Sequence, residues 1–315
     1  MVMRTCRVWM LGPALGVIIF FMLSGCARSD HEATSLLGEP LERPALYPER
    51  QAEFERNLET ARAEHDANPD AVDAIVWYGR RLAYLGRYRD AIEVYTEGLQ
   101  RFPQSAELRR HRGHRYITVR EFHRAIGDLR LASLLLERIP DRVEPDGMPN
   151  EAGIPLTTLH SNTWYHLGLA HYLRGEWRKS REAFGQILEL PSLNDDNLVS
   201  AIYWMALASK RLDDDRAVEL LLDRVEENMA IIENHEYHAL LLHFKGERTE
   251  VDLLGGEADT VGSATTMYGV GAWRLVNGNS TGALELFEAI VANEVSWPAF
   301  GHIAAEAELS RWENR

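Results

Sequence analysis

Residues 72–105 read VDAIVWYGRRLAYLGRYRDAIEVYTEGLQRFPQS, and residues 106–139 read AELRRHRGHRYITVREFHRAIGDLRLASLLLERI. Set one above the other, Gly79 falls on Gly113, Tyr88 on Phe122 and Ala91 on Ala125, and Pro103 answers Pro69 at the same interval of 34. A period of 34 with small residues at fixed offsets is the mark of stacked helical hairpins. The small positions have a cause. A side chain at Gly79 or Ala91 would push two antiparallel helices apart, while Gly86 suits the tight turn between them.

Working outward, Pro48 sits where helices start, and Phe54, Leu58 and Ala61 share one face of a helix that Pro69 ends. This half-repeat, 48–69, reads as an N-terminal cap. A third unit, 161–194, carries Trp164, Leu167, Gly168, Gly175, Trp177, Phe184 and Ile187 in register, with Ser180 at the alanine position. The Gly113-to-Gly168 step of 55 leaves an insert, 140–160, whose prolines and glycines exclude a long helix. It reads as either a rigid connector or a functional loop. A weaker unit spans 198–228. Glu233 to Lys245 reads as a single apolar helix before a glycine-rich break at Gly246, Gly255, Gly256 and Gly262. The pattern returns over 264–297 through Gly271, Gly278, Ala283, Phe287 and Ile290, and 298–313 closes the chain as a C-terminal cap.

These residues resemble the tetratricopeptide repeat (TPR) family: small at position 8, aromatic near 17, alanine at 20, aromatic or large apolar at 24, proline at 32. The resemblance implies an all-α superhelical solenoid over 48–315. It also implies that the first helix of each repeat lines a concave groove, here through Arg80, Tyr84, Arg110, His114, Tyr165 and Tyr172. Two arginines, a histidine and three tyrosines suit an extended acidic segment, because arginine grips carboxylates bidentately. The set is similar to the carboxylate-clamp TPRs, but Val76 stands at a basic position of the clamp, and Arg80 or His114 at its asparagine position.

The chain's beginning reads differently. Arg4 and Arg7 precede an apolar run from Val8 to Leu23, closed by Leu23-Ser24-Gly25-Cys26. This is the layout of a signal peptide, 1–25, and the run is shorter than a membrane span. Its end resembles the lipobox of bacterial lipoproteins. The resemblance implies cleavage before Cys26, lipidation of that cysteine and, with Ala27 following, an outer-membrane lipoprotein facing the periplasm. Residues 26–47 then read as a flexible tether.

The whole chain carries a net charge of −14, yet residues 79–130 carry +6, from 12 basic and 6 acidic side chains. The overall acidity argues against nucleic acid as a partner. Nucleotide-loop, zincin, nucleophile-elbow and dithiol motifs are all missing. The sequence therefore points to a membrane-anchored scaffold for a protein or peptide partner in cell-envelope assembly, with no catalytic residue, cofactor or metal. A module binding anionic glycan or peptidoglycan peptide is the alternative, and an enzyme with its site in the insert is the third reading.

Overall fold

Residues 72–84 bring Ala74, Ile75, Gly79, Leu82 and Ala83 to one buried helical face, and the same arrangement recurs along the chain. The computed structural model describes residues 31–255 and 261–314. Signal peptide 1–25, Cys26, Ala27 and Gly256 lie outside the described residues. An antiparallel pair of short strands, β1 (Ala33–Thr34) and β2 (Pro40–Leu41), opens the described chain.

Fourteen helices follow among the described residues. They are α1 (Pro48–Ala67), α2 (Val72–Tyr84), α3 (Tyr88–Arg101), α4 (Ala106–Thr118), α5 (Phe122–Leu136), α6 (Leu159–Leu173), α7 (Trp177–Ile187), α8 (Asp195–Lys210), α9 (Asp215–Leu222), α10 (His235–Phe244), α11 (Glu250–Leu254), α12 (Val261–Val276), α13 (Ser280–Val291) and α14 (Phe300–Glu313). The pairs α2/α3, α4/α5, α6/α7, α8/α9 and α12/α13 are antiparallel hairpins. Their first helices, α2, α4, α6, α8 and α12, pack side by side with α10 as an inner layer. The fold is an all-α, TPR-type solenoid.

One turn geometry repeats. A left-handed residue stands seven places after the small position of each hairpin: Gly86, Arg120, Gly175, Asp213, Gly246 and Gly278, with φ between 55° and 92°. Gly246 therefore marks a further hairpin, α10/α11, in a stretch that reads from sequence as a lone helix. The pattern is faint there because α11 has only five residues and buries none of them. Asp196, itself buried, holds the connector into α10 by accepting from the backbone N–H groups of Ile232, Glu233 and Asn234.

The close approach is equally regular. A Cβ added to Gly113, Gly168 or Gly271 would strike the side chain sixteen residues later: Leu129, Phe184 and Phe287 respectively. At Gly168 that Cβ would lie 2.6 Å from the Phe184 ring. Gly127, exposed on α5, meets nothing within 4 Å. The two glycines should thus respond oppositely to alanine. Gly127→Ala should stabilise by about 0.5–1 kcal/mol through helix propensity. Gly168→Ala should destabilise by about 1–3 kcal/mol through overpacking. Urea melts of both variants check this, and a stabilised Gly168→Ala would contradict the packing.

Three segments outside the repeats are tied to the solenoid. Residues 31–47, expected as part of a flexible tether, are strapped to the solenoid. Ala33 is buried, Glu32 accepts from the Arg89 backbone N–H at 3.1 Å, and the Trp297 indole donates to the Glu42 carbonyl at 2.8 Å. The insert 140–160 is pinned by an isolated bridge between Val143 and Thr158. A capping box then starts α6, with the Thr158 hydroxyl accepting from Ser161 N–H.

The third is α14. All its residues from Gly301 to Leu309 are buried, as befits a helix enclosed by others and unlike a cap with one wet face. It packs on α12 and α13 and reaches back to α6. Gly301 lets it approach the Ala264 carbonyl, where any Cβ would clash.

Candidate functional site

Arg80 and Tyr84 stand one turn apart on α2, and Arg110, His111, His114 and Arg115 share a face of the neighbouring α4. The insert folds over them. Arg80 Nη1 donates to the Pro145 carbonyl at 2.6 Å, and Arg81 Nη1 to the Gly147 carbonyl at 3.3 Å. The Glu144 carboxylate enters the cluster and pairs with Arg110 at 3.1 Å. Residues 143–147, Val-Glu-Pro-Asp-Gly, thus lie as an extended acidic segment across the basic end of the solenoid.

The electrostatics follow from burial. Desolvation lowers the Arg110 pKa, opposed by Glu144, while Arg80 and Arg115 lower it further. His111 and His114 are pushed well below the usual imidazole value by burial and by the nearby arginines. Both are neutral at pH 7. Arg110 Nη1 lies 3.0 Å from His111 Nδ1. A guanidinium can only donate, so Nδ1 accepts and the His111 proton sits on Nε2, facing Glu144 at 3.5 Å. Between α2 and α4 a cavity of about 110 Å³ remains, lined among others by Arg80, Tyr84, Tyr95, Arg110, His114 and Arg115.

The six residues predicted to line one groove separate into two groups. Arg80, Tyr84 and Arg110 meet around the insert, with Arg110 buried under it. Tyr165 and Tyr172 lie where other parts of the solenoid fill the space, and His114 stands between the groups, lining the cavity with Arg80, Tyr84 and Arg110 while its ring packs on the solenoid. The His114 ring packs at 4.1 Å from His166 and 5.4 Å from Phe300 of α14. The Tyr165 hydroxyl sits 2.8 Å from that of Tyr237 and accepts from the Trp204 indole at 3.1 Å. Tyr172 is fully buried and accepts from the Tyr268 hydroxyl at 2.9 Å. Tyr172 therefore lines no open groove. Its apolar ring and satisfied hydroxyl are better hidden than wet.

Residues that sequence reasoning passed over close this part of the concave face. Arg120 pairs with Glu306 of α14, both buried, and its Nη2 donates to the Trp297 carbonyl at 2.9 Å. Glu306 also accepts from the Leu36 backbone N–H at 3.1 Å and faces His302 Nε2 at 3.2 Å. Close by on α14, Glu308 pairs with Arg211 at 2.6 Å and with Arg311 at 2.9 Å. Both of these arginines lie over the Trp177 ring. The signal for Arg120 was present in the sequence. It holds a left-handed turn, φ 65°, where the flanking hairpins use Gly86 and Gly175. A non-glycine residue there costs about 1–2 kcal/mol, and here its side chain reaches Glu306 of α14.

Residues 72–115 match the tetratricopeptide repeat family. No curated protein matches the chain. Among solved structures, a tetratricopeptide repeat protein from Parabacteroides merdae is similar, with 15% identity over 82% of this chain and 96% of that one, at a TM-score of 0.49. A Podospora anserina protein of nearly identical TPR-like repeats aligns with 13% identity over 72% of this chain and 96% of its own, at a TM-score of 0.41. The Naa15/Naa10 complex bound to HypK-THB aligns with 16% identity over 80% of this chain and 36% of that chain, at 0.36. The class is that of a helical-hairpin solenoid carrying a tetratricopeptide repeat over 72–115.

Proposed function

We propose that this chain is a lipid-anchored scaffold of the cell envelope that binds a protein partner through an extended acidic segment. The anchor reading rests on Leu23-Ser24-Gly25-Cys26 behind a basic start and an apolar run, with Cys26 as the lipidated residue on the periplasmic face of the outer membrane. Among the described residues, no helix is long and apolar enough to cross a membrane.

The observation that carries the binding reading is the seat of residues 143–147. Arg80 and Arg81 receive backbone carbonyls, which any extended peptide offers, while Arg110 receives a carboxylate, which selects an acidic one. A partner segment of the same chemistry competes with the insert for that seat. Two of the three arginines are half-buried at its rim, so a partner can reach them without unfolding the inner layer. Solenoids of this kind present such surfaces along their stacked helices.

Crosslinking and affinity purification from membranes tests the reading. Wild-type chain should retain one predominant protein, and Arg80→Glu with Arg81→Glu should lose at least about tenfold of it through charge reversal at the rim. Undiminished recovery by the double variant would sink the groove assignment. Separately, Cys26→Ala should abolish acyl labelling and release the chain from membranes; labelling that survives would refute the anchor.

A further inference from the structure

We propose that the cavity between α2 and α4 binds a phosphate-sized oxyanion dianion between Arg80, Arg110 and Arg115. Three guanidiniums line one cavity of about 110 Å³, and the carboxylate that reaches them is Glu144, paired with Arg110. Among the described residues no ion pair falls on Arg80 or Arg115. Arg115 lies over the Tyr88 ring, an interaction that partly offsets its burial without neutralising it.

Arg80 and Arg115, both half-buried, thus bring two positive charges without a carboxylate of their own beside the buried Arg110. Taking a charge out of water without a partner is costly, and buried charges are ordinarily paired. The neighbouring imidazoles of His111 and His114 stay neutral, so they add hydrogen-bonding capacity and no charge. An anion of charge −2 completes the balance: three guanidiniums against Glu144 and a dianion.

The donors fit the same ligand. Arg110 Nε is buried with no partner. Arg80 Nη2 donates to the Tyr84 hydroxyl oxygen at 3.2 Å, which leaves the Tyr84 O–H free to donate in turn. Planar guanidinium forks match tetrahedral oxyanions bidentately. The volume corresponds to roughly four waters, room for a phosphoryl group but not for an attached nucleoside. The group comes either as free inorganic phosphate or as the exposed end of a small phosphomonoester. The site shares Arg80 and Arg110 with the partner seat, but Arg115 takes no part in seating residues 143–147, so the effect of Arg115→Gln on phosphate binding is read separately from the partner reading.

The test is thermal unfolding and isothermal titration of the full chain at pH 7.5. Inorganic phosphate, glycerol phosphate and chloride are compared at matched ionic strength. Phosphate at 10 mM, a chosen concentration of roughly ten times Kd or more, should raise Tm saturably by about 3 °C or more over chloride. Arg115→Gln should weaken binding by at least about tenfold, the effect of removing one charge-assisted hydrogen bond. A rise with phosphate assigns the free anion, and a rise with the ester alone assigns an ester's phosphoryl end. Neither ligand exceeding chloride overturns the proposal, as does an Arg115→Gln protein that binds phosphate as wild type does. Should that variant fail to fold, Arg80→Gln at the half-buried rim gives the same readout, and unaltered affinity there counts equally against the site.

Discussion

Glu306→Ala should lower the stability of the folded chain by about 3–5 kcal/mol, among the largest effects of any single substitution in this molecule. The reason is that Glu306 serves three elements at once. It pairs with Arg120 from the α4/α5 turn, accepts from Leu36 N–H of the N-terminal strap and faces His302 on its own helix. Truncation leaves the Arg120 guanidinium buried without its counter-charge, and the strap loses an acceptor 270 residues away in sequence. Glu306→Gln keeps the shape and should fall between. Arg120→Met with Glu306→Leu removes both charges and should recover most of the loss, since replacing a buried pair by apolar groups is often near neutral. Guanidinium melts of the four proteins check the series. An alanine variant within about 0.5 kcal/mol of wild type, the range of an ordinary surface change, would show that α14 is not closed on the solenoid this way.

Acidification should produce the second large effect, and its window separates it from carboxylate chemistry. His111, His114 and His166 are all held well below the usual imidazole value, first by burial and then by neighbouring positive charge from Arg110 and Arg115. On the other side, Glu144 faces His111 at 3.5 Å and the Asn162 carbonyl accepts from His166 at 2.6 Å, both opposing the shift. Phe300 offers no compensating charge. Below an unfolded pKa of about 6.5 the unfolded chain takes up protons that the folded chain refuses. Stability is therefore complete above that pH and is lost as pH falls toward the folded values. Each histidine contributes about 1.4 kcal/mol per pH unit, so the three together cost about 4 kcal/mol between pH 7.5 and 5.5. His171 adds in the same direction.

The carboxylates act lower. Glu306 and Glu176 have depressed pKa values, Glu176 down to about 2, so their contributions are lost only as pH falls below the ordinary carboxylate range. Urea melts at pH 7.5, 6.5 and 5.5 read the histidine window alone. Equal stability at all three would mean that the imidazoles are not enclosed.

The hairpins were legible because their determinants are local. Gly113, Gly168 and Gly271 meet Leu129, Phe184 and Phe287 sixteen residues on, and a fixed short offset is what a single sequence displays. The α10/α11 hairpin was obscured because its second helix is short and buries nothing. The basic block was also legible as charge, and Arg80, Tyr84 and Arg110 do come together. What faces them was not legible. Glu144 arrives from an insert without periodicity. Glu306 and Glu308 sit on a helix whose sequence reads as a cap, yet they meet Arg120 and Arg211 across long stretches of chain. The repeat position of Tyr172 puts it on the groove, but Trp177, Trp204 and Tyr268 enclose it. Such long-range pairings leave only indirect traces, of which Arg120 at a glycine turn is the clearest.

Two of the chain's own acidic segments cover the inner layer: α14 against α6 and α12, and residues 143–147 at the basic end. Native-state hydrogen exchange tests it directly. Amides of residues 303–309 should exchange only through global unfolding, with an opening free energy equal to that of the inner-layer helices α6 and α8. The Glu144 amide, bonded to the Thr157 carbonyl at 3.0 Å, should open locally at lower cost, as a displaceable segment must. Exchange of α14 as rapid as that of a frayed terminus would contradict the account and leave the groove open along its length.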